Sequence, residues 1–232
     1  MDEIIVANKE ITVQTINQFY IEKIKDSDVN ETTDILTDVF KTNSAYSLIF
    51  QNKAQLEDGL KWLFKADLLR INHKQPLTNV VKEKDTGKIL GTYTLIPPEG
   101  AKIPFPVYLK IGLPRFVFRL GVDPLMRMLD LGKFNKKLLT ESMKVPSYWY
   151  LSMVAIRKEY QGKGIGTAVL QQAIRALEAS HSTCKLLGLT TQLPENKVFY
   201  SRLGFDVLDE GTVTFRGDAY YNCTMKLRIG FI

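Results

Sequence analysis

The sequence predicts a mixed α/β sheet flanked by helices, and three observations carry that prediction. Short β-branched and aromatic runs alternate with segments whose apolar residues recur every three or four positions. The nearly all-apolar run 148–156 (YWYLSMVAI) leads directly into a glycine-rich turn and then a helical pattern, as expected of a strand covered on both faces near the middle of a sheet. The 232 residues are 45% hydrophobic and 24% charged, which suits a soluble domain with a substantial core and no need of disulfides or metal.

In chain order, residues 11–24 (ITVQTINQFYIEKI) read as one strand or two. Asp28-Val29-Asn30-Glu31 has the spacing of a capping box, with Asp28 accepting from a first-turn amide and Glu31 reaching back. The helix it opens carries Ile35, Leu36, Val39 and Phe40 on one face. A second helix is expected over 54–71, with Leu56, Leu60, Leu63 and Phe64 at helical spacing. Strands at 79–83 and 89–94 form a hairpin around Asp85-Thr86-Gly87-Lys88, where Gly87 supplies a positive φ.

Residues 97–146 are interrupted by Pro97, Pro98, Pro104, Pro106, Pro114, Pro124 and Pro146 and contain no repeat. They read as an insertion between the third and fourth core strands of a single domain spanning 1–232, with one or two helices between Pro114 and Ser142. Its apolar residues, Phe105, Val107, Tyr108, Leu109, Phe116 and Phe118 among them, suit extra core, an acceptor pocket, a dimer contact or a membrane-touching flap. Beyond the strand at 148–156, a helix over 167–179 sets Leu170, Ala173, Ile174 and Leu177 on one face. A buried strand follows at 185–190 (KLLGLT), then a helix over 194–203 with Pro194 in its first turn and Gly204 as its stop. Strands at 205–208 and 220–228 close the domain.

Several function classes recede on composition. The formal net charge is +6, but the basic residues are scattered, which describes a solvated surface better than a nucleic-acid interface. Cys184 and Cys223 form no CxxC pattern and read as reduced; His73 and His181 are isolated, so no metal site is expected. The N-terminus has no basic segment ahead of an apolar one, and no run approaches the roughly 20 apolar residues of a membrane span. A cytoplasmic protein is the resulting expectation.

The turn Gln161-Gly162-Lys163-Gly164-Ile165-Gly166 is the chemical focus. A helix N-terminus offers amides without intrahelical partners and the positive end of the helix dipole, and glycines let backbone approach a phosphate closely. The dinucleotide fingerprint G-x-G-x-x-G fails by one residue, and the P-loop pattern lacks its first glycine. The pattern Q/R-x-x-G-x-G/A fits at every position. The competing description is a ligand-free glycine turn.

At these residues, and again at Asn196-Lys197-Val198-Phe199-Tyr200-Ser201-Arg202-Leu203-Gly204-Phe205, the chain resembles the general-control-related (GNAT) N-acetyltransferase superfamily. The resemblance covers about 148–228, and the second motif is nearest in wording to antibiotic-modifying members such as puromycin N-acetyltransferase. It implies an acyl-CoA N-acyltransferase fold with acetyl-CoA as co-substrate. The pantetheine arm would lie along Met153, Val154, Ala155 and Ile156. The pyrophosphate would rest on the amides of Gln161, Gly162, Lys163, Gly164, Ile165, Gly166 and Thr167, and Asn196 would hydrogen-bond the cofactor. Tyr200 matches the family tyrosine that protonates the departing sulfur, the rival description being a packed helix aromatic. The strand at 148–156 lacks the carboxylate many relatives use as a base; Glu99, Asp123 and Glu141 are candidates, each better described as a surface charge. The implied activity is acetylation of the primary amine of a small molecule. The alternatives are a protein N-terminus or lysine as acceptor, a longer acyl donor, or a non-catalytic acyl-CoA sensor. A homodimer is compatible with the sequence.

Overall fold

Seven strands form one mixed sheet in a computed structural model that describes residues 18–101, 107, 111–180 and 183–230. They are β1 (Phe19–Lys23), β2 (Thr78–Glu83), β3 (Ile89–Ile96), β4 (Trp149–Ile156), β5 (Leu186–Thr191), β6 (Asp206–Phe215) and β7 (Asp218–Arg228), in the spatial order β1-β2-β3-β4-β5-β7-β6. Every neighbouring pair is antiparallel except β4 and β5, which run parallel and are paired only at Trp149↔Leu187 and Tyr150↔Gly188. Residues 11–17 of the expected first strand, and Pro104, Phe105, Pro106, Tyr108 and Leu109 of the insertion, lie outside the described residues, as does His181.

The two faces of the sheet carry different helices. One face holds α1 (Val29–Phe40), α2 (Ser44–Ser47), α3 (Lys53–Ile71), α4 (Leu113–Leu120) and α5 (Val122–Met143). Ile35, Leu36, Phe50, Leu60, Phe64, Phe116 and Leu131 pack there against Val80, Ile89, Ala155, Phe215 and Tyr220 of the sheet. The opposite face holds α6 (Ile165–Ala179) and α7 (Pro194–Arg202), whose Val169, Leu170, Ala173 and Tyr200 meet Val81, Leu90, Leu151, Leu187, Leu189 and Met225. Even-numbered β4 residues before Ser152 thus face one helical layer and odd-numbered ones the other, the period-two rule of a strand. The strand is less covered than its composition suggests: only Leu151 and Ala155 are fully buried and the rest are half-buried.

The start of α1 departs from the capping-box expectation. A 3-10 turn at Asp26–Asp28 precedes it, and the Asp28 carboxylate accepts the Lys25 amide (3.0 Å) and the Lys82 ammonium (2.8 Å). Lys82 is only 9% exposed and also reaches Glu22 (2.8 Å), so a buried cation claims the carboxylate that the capping pattern assigned to the helix. Glu31 turns instead to the Ile89 amide (3.3 Å) and the Arg157 guanidinium.

The last two strands are much longer than 205–208 and 220–228. They form one hairpin turned by Arg216-Gly217, both at positive φ (51° and 91°), the geometry that matches strand twist. β6 is a mostly exposed edge strand, which is why its polar sequence hides it. The hairpin tip docks on the insertion: Phe215 meets Phe134 (centroids 5.8 Å apart), the Tyr220 hydroxyl donates to Asn135, and Arg216 pairs with Asp130. Within the insertion, Phe116, Leu131, Leu139 and Met143 are core residues, whereas Phe118 is 92% exposed. Cys223 is buried and a free thiol, and Cys184 is half-buried. Among the described residues no helix is long and apolar enough to cross a membrane, and no group of His, Cys, Asp and Glu is placed to hold a metal.

Candidate active site

The functional centre begins where β4 and β5 part. After Tyr150 the two strands share no ladder pair, so the β4 backbone from Leu151 to Ile156 presents an open edge toward β5. A bulge sharpens the divergence: Thr92 of β3 faces Ala155 and Thr94 faces Ser152, and the extra residue, Met153, takes φ +49°. Such a conformation is uncommon outside glycine and turns the following amide out of the ladder. Met153, Val154, Ala155 and Ile156, the residues assigned to the pantetheine arm from the sequence, therefore lie where β4 turns away from β5.

The mouth of the wedge is the glycine loop. Arg157 anchors its near end, donating from Nε to the Ile89 carbonyl (2.6 Å) and pairing with Glu31. Gln161 closes the loop, donating from its side chain to the Ile156 carbonyl (2.8 Å) and from its backbone amide to the Lys158 carbonyl (3.2 Å), so both groups build the turn and the Gln161 amide assigned to pyrophosphate from the sequence is already engaged. Gly162 and Gly164 take φ +74° and +77°, and a Cβ on either would meet nothing within 4 Å. Their hydrogen-only faces thus open on clear space. Gly166 differs: a Cβ there would contact Phe199 (3.5 Å) and Ile156 (3.6 Å), so this glycine sets how closely α6 packs on β4 and α7. The bond from the Ala168 amide to the Gly164 carbonyl (3.0 Å) is the first to span the helix start, leaving the amides of Ile165, Gly166 and Thr167 at the mouth. The Lys163 and Lys88 ammonium groups each lie 5.1 Å from the Tyr160 ring centroid, adding positive charge beside the loop. Open amides, left-handed glycines, an unpaired strand edge and cationic flanks fit a phosphorylated, amide-bearing arm such as that of acetyl-CoA.

Tyr200 projects from α7 into the same region. It is 8% exposed and sits between Phe199 and Phe205 (centroids 5.1 and 5.7 Å). Burial pushes its phenol above the ordinary tyrosine value, with a further push from Tyr150. Tyr150 comes from the opposite layer, its hydroxyl 3.5 Å from Thr190 Oγ1 on β5, and burial raises it too. The two phenols thus interact across the wedge. Asn196 gives one side-chain N–H to Thr191 Oγ1 (3.2 Å), tying the first turn of α7 to the end of β5 and leaving its carbonyl and second N–H for a ligand.

None of the acids proposed from the insertion joins this centre. Asp123 pairs with Arg127 (2.7 Å), Glu141 with Lys137 (3.8 Å), and Glu99 is exposed. Burial raises the phenols of Tyr46 and Tyr150, with smaller pushes from Asp67 on Tyr46 and from Tyr148 and Asp67 on Tyr150. No local pattern marks Asp67 or Tyr46, which lie about a hundred positions from β4. The one available signal is a polar Ser152 in an otherwise apolar strand.

A mixed sheet opened between its fourth and fifth strands, with a glycine loop at the opening, is the architecture of the acyl-CoA N-acyltransferase fold. The comparisons agree. Residues 138–207 match the family model of the acetyltransferase (GNAT) domain. A Corynebacterium glutamicum protein described as histone acetyltransferase HPA2 and related acetyltransferase superposes with TM-score 0.59 at 19% identity, covering 93% of this chain and 98% of its own. A mosquito (Aedes aegypti) protein assigned as arylalkylamine N-acetyltransferase 7 gives 0.55 at 13%, covering 91% and 88%. The Salmonella typhimurium yncA protein, assigned as an acetyltransferase and solved with its cofactor acetyl-CoA, gives 0.50 at 16%, covering 92% and 95%. The chain has the GNAT fold and carries the GNAT acetyltransferase signature, and acetyl-CoA is the co-substrate of that class.

Proposed function

We propose that this protein transfers the acetyl group of acetyl-CoA to the primary amine of a small molecule by direct attack, with Tyr200 as the general acid. The observation that carries the reading is the wedge itself: one opening joins the glycine-loop amides, the free β4 edge and a buried phenol. The amides from Gly162 to Thr167 hold pyrophosphate, and Met153 to Ile156 pair with the pantetheine amides as an added strand would. The amide of Val154, beside the bulge, polarises the thioester carbonyl. Tyr200 stays protonated at neutral pH because burial disfavours its phenolate. A thiolate leaving into the same dry wedge is disfavoured for the same reason, and takes the phenolic proton. The proton shed by the attacking nitrogen restores the phenol.

Calorimetric titration with acetyl-CoA, CoA and NAD, followed by thiol release with primary amines, tests the reading. Micromolar acetyl-CoA binding, silence toward NAD and amine-dependent thiol release are expected. Absence of acetyl-CoA binding refutes the cofactor site. Binding without thiol release toward any amine replaces the enzyme with an acyl-CoA sensor.

A further inference from the structure

Basic residues are spread along the chain, but their surplus over acids is not. Residues 97–146 hold nine Lys and Arg against four Asp and Glu, so the insertion carries five of the six net positive charges. The same segment exposes apolar side chains. Half of the large apolar and aromatic side chains left exposed among the described residues fall between positions 118 and 129: Phe118 (92% exposed), Val122 (57%), Met126 (45%) and Leu129 (46%). Val122, Met126 and Leu129 follow helical spacing along one face of α5, and that face continues into exposed Lys133 and Lys136. Phe118 stands on the last turn of α4, one turn beyond exposed Arg115 and next to exposed Arg119, while Phe116 fills the core. The acids of α5 sit about a quarter-turn round the helix from that face. They are already engaged: Asp123 with Arg127 (2.7 Å) and Arg216 (3.7 Å), Asp130 with Arg216, and Glu141 with Lys137 (3.8 Å). Arg115, Lys133 and Lys136 have no ion-pair or hydrogen-bond partner among the described residues.

We propose that the exposed sides of α4 and α5 dock on an anionic lipid bilayer. Phe118, Val122, Met126 and Leu129 enter the headgroup region, and Arg115, Lys133 and Lys136 rest on lipid phosphates and carboxylates. The charge chooses the occupant. A bilayer containing acidic phospholipid offers hydrocarbon beneath a layer of negative charge, and an exposed apolar stripe flanked by Lys and Arg uses both. A second copy of the chain would set a positive surface against its own like. A nucleic acid supplies phosphate but no hydrocarbon for Met126 and Leu129. Among the described residues no helix is long and apolar enough to cross a membrane, and the contact proposed lies on the bilayer surface. It uses none of the residues assigned to the cofactor and holds whether or not the chain transfers acetyl groups.

Vesicle flotation of the full chain tests this, with phosphatidylcholine vesicles that contain either no acidic lipid or about 30% phosphatidylserine. At about 0.1 M NaCl the protein should float with the phosphatidylserine vesicles and stay behind with phosphatidylcholine alone, and at about 0.5 M NaCl binding should weaken about tenfold. Phe118→Ser with Val122→Ser should weaken it about tenfold at the lower salt. The melting temperature should not move, since both side chains are exposed in the folded chain. Lys136→Glu should weaken binding about fivefold, whereas Lys84→Glu, an equal charge change at the exposed β2–β3 turn, should cost less than about twofold. No flotation with phosphatidylserine vesicles overturns the proposal, as does flotation that Phe118→Ser with Val122→Ser leaves unchanged. Equal losses in Lys136→Glu and Lys84→Glu would mean that net charge alone drives the contact, which removes this face from it. A wild-type dimer that Phe118→Ser with Val122→Ser converts to a monomer, read by light scattering, would give the face to a second copy of the chain instead.

Discussion

The two sides of the β4–β5 wedge are built from different materials. The glycine-loop side, proposed to hold the cofactor, offers main chain: left-handed Gly162 and Gly164, the first amides of α6, and a strand edge that diverges from β5 at the Met153 bulge. The α7 side is built from side chains: Tyr200 between Phe199 and Phe205, with Asn196 tied to Thr191 at the end of β5. Main-chain sites are consecutive in sequence, so a short motif encodes them whole. Side-chain sites are assembled by the fold, and change readily while the scaffold stays.

Substitutions should expose that difference. Gly164→Asp places a side chain at φ +77° and a negative charge where phosphate rests. The strain and the repulsion together should weaken acetyl-CoA binding by about a hundredfold or more, read by calorimetry. Retained affinity would remove the loop from the cofactor site and dissolve the contrast between the two sides. Tyr200→Phe keeps the packing against Phe199 and Phe205 but removes the proton, so kcat should fall by about a hundredfold while acetyl-CoA affinity stays within about threefold. An unchanged kcat would reduce Tyr200 to a packed aromatic.

The smallest effect is on stability at high pH. Burial raises the phenols of Tyr93, to about 12, and of Tyr200 in the folded protein. Below pH 10 both states keep these protons and stability is unaffected. From about pH 10 upward the unfolded chain releases them first, so each such phenol should lower stability by about 1.4 kcal/mol per pH unit until it ionises in place. Urea midpoints from pH 8 to 11, with phenolate absorbance followed in parallel, measure this. A flat profile would mean that water reaches these phenols freely.

The same contrast explains what was legible in the sequence. The run from β4 through α7 was readable because its signals are local: an apolar strand, three alternating glycines, an amphipathic helix, Pro194 and Gly204 bounding the last helix. The insertion was recognised by its prolines, and its helices were expected where they occur. The capping box failed because Lys82, more than fifty residues away, claims Asp28. The β6–β7 hairpin was underestimated because an exposed edge strand carries little apolar alternation and gains its place from α5, through Phe134 and Asp130.

The parallel junction at Trp149 and Tyr150 has one more consequence. Two antiparallel blocks, β1 to β4 and β5 to β6, are stitched at a two-residue seam. Amide hydrogen exchange should therefore report two units of opening, with β4 beyond Tyr150 exchanging faster than its central position would suggest. A molecule bonded along that edge would act as a rivet across the seam. Its departure after each turnover would return the protein to a state in which the two halves breathe independently.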